Sequence, residues 1–152
     1  MKGAQTYFGI QLERLIDKLI TLRLNSRYQK YLDSYKNVIN ILEEAKINAE
    51  NNKYFLHHNH DQEFKKHEGK LVIEHLAEIF PPDKLGFVLD TFWIQAGGAD
   101  PAFWIEKLSG RVPAIHLKDF AYGSKMAVLG EGNINFERVF EKAESAKVKY
   151  LL

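Results

Sequence analysis

Apolar residues recur at two different periods along this chain. Over 8–24, Leu12, Leu15, Ile16, Leu19, Ile20 and Leu22 fall at helical spacing, which predicts an amphipathic helix. A longer helix is expected over 27–50, carrying Tyr28, Tyr31, Leu32, Tyr35, Val38, Ile39, Leu42 and Ala45 on one face. Ser26 is its N-cap and the pair Asn51-Asn52 its break. Beyond that point the pattern changes to short, dense apolar runs at 53–59, 86–90, 113–118 and 148–152. These are rich in β-branched or aromatic residues, and helical periodicity separates them, the signature of parallel strands with crossover helices.

The connecting segments carry their own punctuation. Leu71, Val72, His75, Leu76 and Ile79 form a helical stripe that Pro81-Pro82 stops. Asp100-Pro101 supplies an N-cap followed by proline at the first helical position, and Gly110 stands where a C-terminal cap belongs. Asn135 caps a helix bearing Phe136, Val139, Phe140 and Ala143. The charged stretch around Gly69 and the segment with Gly123, Gly130 and Gly132 read as loops. Strands start roughly thirty residues apart, as βα units require. The expected fold class is therefore α/β: an open parallel sheet, or part of a (β/α)₈ barrel. A whole barrel takes about 250 residues. Four strands in 152 residues make half of one.

Composition narrows the function. Lys plus Arg total 21 against 20 Asp plus Glu, a net charge of +1, so nothing electrostatic favours nucleic acid or an anionic membrane. Without cysteine there are no disulfides or thiolate ligands, and any metal must be held by His, Asp, Glu or water. No apolar run reaches 18 residues, and the N-terminus lacks the pattern of a signal peptide, so a cytoplasmic location is expected.

Three polar clusters close the first three strands: His57-His58-Asn59-His60-Asp61-Gln62-Glu63, Asp90-Thr91-Phe92-Trp93 and His116-Leu117-Lys118-Asp119. Aligned strands bring their C-terminal ends to one rim, so imidazoles and carboxylates converge there as a metal and acid/base site. His60 is a candidate general acid/base, because imidazole titrates near neutrality. Lys118 lies two residues beyond His116, on the same face by strand alternation, and is a candidate oxyanion holder. Trp93 could offer an apolar face to a ligand bound in a concave site. Glu131, between two glycines, is either a substrate contact or a plain loop residue. His57 is expected to face the helices, His67 and His75 to be solvated or interfacial, Trp104 to be core, and Arg111 to fix a helix-to-strand turn.

The stretches His58-Asn59-His60-Asp61-Gln62-Glu63-Phe64, Leu89-Asp90-Thr91-Phe92-Trp93, Gly97-Gly98-Ala99-Asp100-Pro101, Gly110 to Asp119 and Gly130-Glu131-Gly132-Asn133-Ile134, in that order and spacing, resemble the sugar phosphate isomerase/epimerase family of xylose isomerase-like TIM barrels. The resemblance runs from about Ser26 to the C-terminus and leaves 1–25 as a helical segment outside it, so 26–152 reads as the C-terminal half of such a barrel. It implies a divalent ion (Mn²⁺, Mg²⁺, Co²⁺ or Zn²⁺) held by Glu, Asp, His and Glu. Asp90 and His116 match two ligands and Glu63 is taken as the first, with His58, assigned to substrate, and His60 on the same strand end. The fourth is expected past Leu152.

The implied chemistry is proton abstraction beside the carbonyl of a keto-sugar or sugar phosphate, through an enediolate. Dehydratase or lyase chemistry on the same site is one rival; a non-catalytic half barrel is another. A nuclease of the endonuclease IV type ranks last, since the chain lacks a basic surface. Pairing of two chains is one way of covering the sheet edges of a half barrel.

Overall fold

The computed structural model describes residues 40, 43–44, 47–48, 50–51, 53–67 and 69–152. The helix expected over 8–24 lies outside them, as does most of the one over 27–50. Asn40, Glu43, Glu44, Ile47, Asn48 and Glu50 are helical, and Asn51 stands in a turn. The chain forms two compact units, Met1–Glu44 and Ala45–Leu152.

At the centre of the second unit is a parallel sheet of four strands: β1 (Phe55–His58), β4 (Leu85–Asp90), β5 (Ala114–His116) and β8 (Tyr150–Leu151), hydrogen-bonded in that order. Each of the four falls within or against an apolar run predicted to be a strand. The crossovers carry α1 (Val72–Ile79), then α2 (Thr91–Ala96) and α3 (Pro101–Lys107), then α4 (Phe136–Ser145). A 3-10 turn, Asp61–Phe64, follows β1. The caps form as the sequence predicts: Asp100 accepts from Ala102 N with Pro101 behind it, and Asn135 accepts from Arg138 N. No helix among the described residues is long and apolar enough to cross a membrane.

Strand alternation and register sort the sheet into two faces. Leu85, Phe87 and Leu89 of β4 and Ile115 of β5 point one way, and all are fully buried with Ile73, Leu76, Ile94 and Ile105 of the helices. Burying these side chains supplies about 1.5–3 kcal/mol each and holds the helical layer on the sheet. His58, Val88, Asp90 and His116 share the other face, because His58 pairs with Val88 and Asp90 with His116.

Three features differ from the sequence reading. The glycine-rich segment after β5 is partly regular: β6 (Asp119–Ala121) and β7 (Lys125–Ala127) pair as a hairpin whose turn places Gly123 and Ser124 at positive φ. The charged stretch likewise holds a minimal pair, β2 (Lys66–His67) with β3 (Lys70–Leu71), turned at Gly69. The third predicted strand is also shorter than 113–118. Beyond His116, the backbone N–H of Lys118 finds a side-chain partner, Thr91 Oγ1 at 2.9 Å, instead of continuing the ladder.

Candidate metal centre

The three polar clusters meet on the Asp90 carboxylate. Asp90 ends β4 and caps α2, so its backbone is fixed from both sides. Its N–H donates to Asn59 Oδ1 at 2.9 Å, and its Oδ1 accepts from Trp93 N at 3.3 Å. The other oxygen, Oδ2, faces three nitrogens: Lys118 Nζ at 2.6 Å, His58 Nε2 at 3.1 Å and His116 Nδ1 at 3.7 Å. Asp90 is fully buried, while the two imidazoles and the lysine are about one-third exposed. Burial lowers the His58 pKa below its ordinary 6.5, outweighing the hydrogen bond and charge of Asp90. That direction favours the neutral ring, the state in which imidazole offers a lone pair to a metal.

The donor set fits a divalent ion. One ligand atom each from His58, Asp90 and His116 lies within 4.8 Å of the other two. Bonds of about 2.1 Å at angles between square and tetrahedral separate donor atoms by about 3.0–3.4 Å, close to the 3.1 and 3.7 Å measured here from Asp90 Oδ2. Two imidazoles and a carboxylate suit Zn²⁺, Co²⁺ or Mn²⁺ better than an all-oxygen ion.

Glu63, expected as a ligand beside Asp90 and His116, is not brought into this cluster; His58 stands there. The 3-10 turn folds Glu63 back on β1, where its Oε2 accepts from His60 N at 2.6 Å. Its Oε1 lies 3.6 Å from His57 Nε2, and His57 packs edge-on against Phe87, on the helix side as expected. Burial pushes the Glu63 carboxyl up, but His57 and the His60 N–H outweigh it and hold the pKa low. His60 is exposed, with its ring centroid 5.0 Å from that of His58 and 5.3 Å from Trp93. Trp104 is core, and Glu131 is exposed on its loop. The His75 ring contacts the His67 carbonyl at 3.1 Å.

Three residues with supporting roles escaped the sequence reading. Asn59 ties the end of β1 to Asp90. Thr91 Oγ1 donates to Lys118 O at 2.6 Å and accepts from Lys118 N, binding the end of β4 to the chain after β5. Asp119 is buried and accepts from the backbone of Phe120, Gly130, Gly132 and Ile134, which folds the loop after β7 onto the β6 end. Gly132 passes so close to that carboxylate that a side chain there would collide with it. The only local signal was position, each being next to a candidate site residue in the motifs.

The model of the xylose isomerase-like TIM barrel family matches residues 13–150. Solved structures with the same fold include a sugar phosphate isomerase/epimerase from Parabacteroides distasonis ATCC 8503, 27% identical over 70% of this chain and 39% of that one, with a TM-score of 0.59. A D-tagatose 3-epimerase-like protein is 21% identical over 84% of this chain and 50% of its own, with a TM-score of 0.61. A probable 3-DHS dehydratase from Bacillus anthracis is 21% identical over 82% of this chain and 50% of its own, with a TM-score of 0.58. The last two show the fold alone. The chain thus spans half or less of the length of these solved proteins. Among curated proteins there is no match.

Proposed function

The chain belongs to the xylose isomerase-like TIM barrel family, and on that footing we propose that it is the site-bearing part of a metal-assisted isomerase or epimerase acting on keto-sugars or sugar phosphates. The observation that carries this reading is the convergence of His58, His116 and Lys118 on one oxygen of the buried Asp90.

In this proposal His58, Asp90 and His116 hold the ion. A bound divalent ion supplies Lewis acidity, polarising the substrate carbonyl and stabilising the charge that develops on its oxygen. His60 takes the proton from the carbon beside the carbonyl, and the electron pair of that C–H bond moves to the carbonyl oxygen. The Lys118 ammonium, held at the end of the sheet by Asp90, would balance the oxyanion. Delivery of a proton to the opposite face of the same carbon by an acid on that side gives the epimer; return of the proton to the former carbonyl carbon, with the adjacent hydroxyl passing its proton to the former carbonyl oxygen, gives the aldose–ketose isomer. Trp93, beside His60, offers an apolar face to the sugar ring.

The test is solvent exchange. Keto-sugars and their phosphates are incubated in D₂O with protein and Mn²⁺, Co²⁺ or Zn²⁺, and deuterium at the carbon beside the carbonyl is read by NMR. Incorporation lost in Asp90→Asn is the expected result. A folded, metal-loaded protein that exchanges no such proton would end the isomerase reading. An unsaturated product instead would mean elimination, as in a dehydratase.

A further inference from the structure

In the cluster, Lys118 Nζ is the nitrogen nearest Asp90 Oδ2, at 2.6 Å, nearer than either imidazole. Asp90 is fully buried, and its Oδ2, removed from water, takes its compensation from the three nitrogens around it, the ammonium nearest. An ion bonded to that oxygen at about 2.1 Å would lie no more than about 4.7 Å from the ammonium in its present place. Two positive centres that close on a desolvated oxygen repel strongly. Ion and ammonium would share one oxygen, and their repulsion favours one at a time.

We propose that Lys118 is the built-in competitor of the metal: its ammonium neutralises Asp90 until a divalent ion displaces it, so that metal uptake and release of the lysine toward substrate are one event. This rests on the metal-site reading above and adds an order to it.

The surrounding geometry fits a swinging side chain on a fixed backbone. Thr91 Oγ1 holds Lys118 from both sides, accepting from its N–H at 2.9 Å and donating to its carbonyl at 2.6 Å. Displacement then needs only rotation of the four-carbon stem, and the Lys118 side chain is already 36% exposed, so the displaced ammonium can reach water or a ligand. Asp90 cannot follow it, being held through its N–H by Asn59 and through Oδ1 by Trp93 N. The rival arrangement is a permanent ion pair, in which Lys118 stays on Asp90 and the ion binds beside it.

Calorimetric titration of Mn²⁺ and Zn²⁺ into the 152-residue protein separates the two, using wild type, Lys118→Met, Lys118→Arg and Asp90→Asn. Competition predicts binding about tenfold tighter or more in Lys118→Met, unchanged or weaker binding in Lys118→Arg, and loss in Asp90→Asn. Equal or weaker binding in Lys118→Met, with wild type binding and Asp90→Asn not, would overturn the competitor role and leave the metal site standing. Failure of every form to bind would remove the metal reading and this inference with it. Because Lys118→Met removes the ammonium from a buried carboxylate and could fail to fold, the wild type gives a second readout. Labelling of Lys118 by an amine reagent, followed by mass spectrometry, should rise several-fold at saturating metal. Unchanged or reduced labelling would mean that the lysine never leaves.

Discussion

Asp119 shows how much of the rim depends on one side chain. Its two oxygens accept from the backbone N–H groups of Phe120, Gly130, Gly132 and Ile134. Asp119→Asn removes the charge and turns an NH₂ toward those donors; we expect a loss of about 2–4 kcal/mol, read by urea denaturation at pH 7. Burial raises the Asp119 pKa, but the four N–H donors outweigh it and hold it below the ordinary 3.8. A carboxyl lowered in the folded state stabilises above its unfolded pKa, and that contribution disappears as pH falls through the folded value. The wild type should therefore lose stability more steeply than Asp119→Asn below about pH 4, and parallel acid limbs in the two would contradict this. The sequence marked the same neighbourhood without resolving it. In His57 to Glu63 it took Glu63 as the partner of Asp90 and left His58 to substrate, whereas the structure sets His58 beside Asp90, because the outcome turns on register. Pairing of His58 with Val88 puts the imidazole on the face of Asp90, whereas the 3-10 turn carries Glu63 back toward His57.

At the scale of elements, the crossovers depend on a residue outside the sheet. Arg111, in the turn between α3 and β5, donates to Ala77 O of α1, to Phe80 O just past it and to Leu85 O at the start of β4. Its guanidinium also lies over the Phe87 ring, 5.4 Å from the centroid. Position after Gly110 was enough to suggest a turn-fixing role, but the reach back to α1 and β4 was not visible locally. Arg111→Met should cost about 3 kcal/mol by leaving buried carbonyls without donors. Arg111→Lys should recover little of it, since one ammonium cannot match a planar fork serving three carbonyls. Equal urea midpoints for wild type and Arg111→Lys would show that a single donor suffices. Elements with long apolar patterns or strong caps, such as β4 and α3, were legible for that reason. The β6–β7 hairpin was not: its strands have three residues each, Gly123 and Ser124 read as loop, and what orders the region is the distant grip of Asp119 on Gly130 to Ile134.

For the molecule as a whole, the parallel sheet separates stability from chemistry. One face, with Phe87, Leu89 and Ile115, is spent on the helical layer; the other carries His58, Asp90 and His116 to one end. Because His58, Asp90 and His116 come from three adjacent strands, an ion held among them would cross-link β1, β4 and β5, and any opening of the sheet would release it. Binding confined to the folded state stabilises by about 2.7 kcal/mol when free metal exceeds Kd a hundredfold. For a unit of this size that corresponds to a rise in Tm on the order of ten degrees. The rise should grow with the logarithm of metal concentration, and calorimetric scans with Mn²⁺ and Zn²⁺ would measure it. Asp90→Asn is the control, since asparagine keeps an oxygen for Trp93 N while losing the charge. It should melt at one temperature with or without metal. A wild-type Tm indifferent to every divalent ion would mean that in this chain the three side chains form a polar knot at the sheet end and hold no ion by themselves. A shift that survives in Asp90→Asn would place the ion elsewhere on the chain.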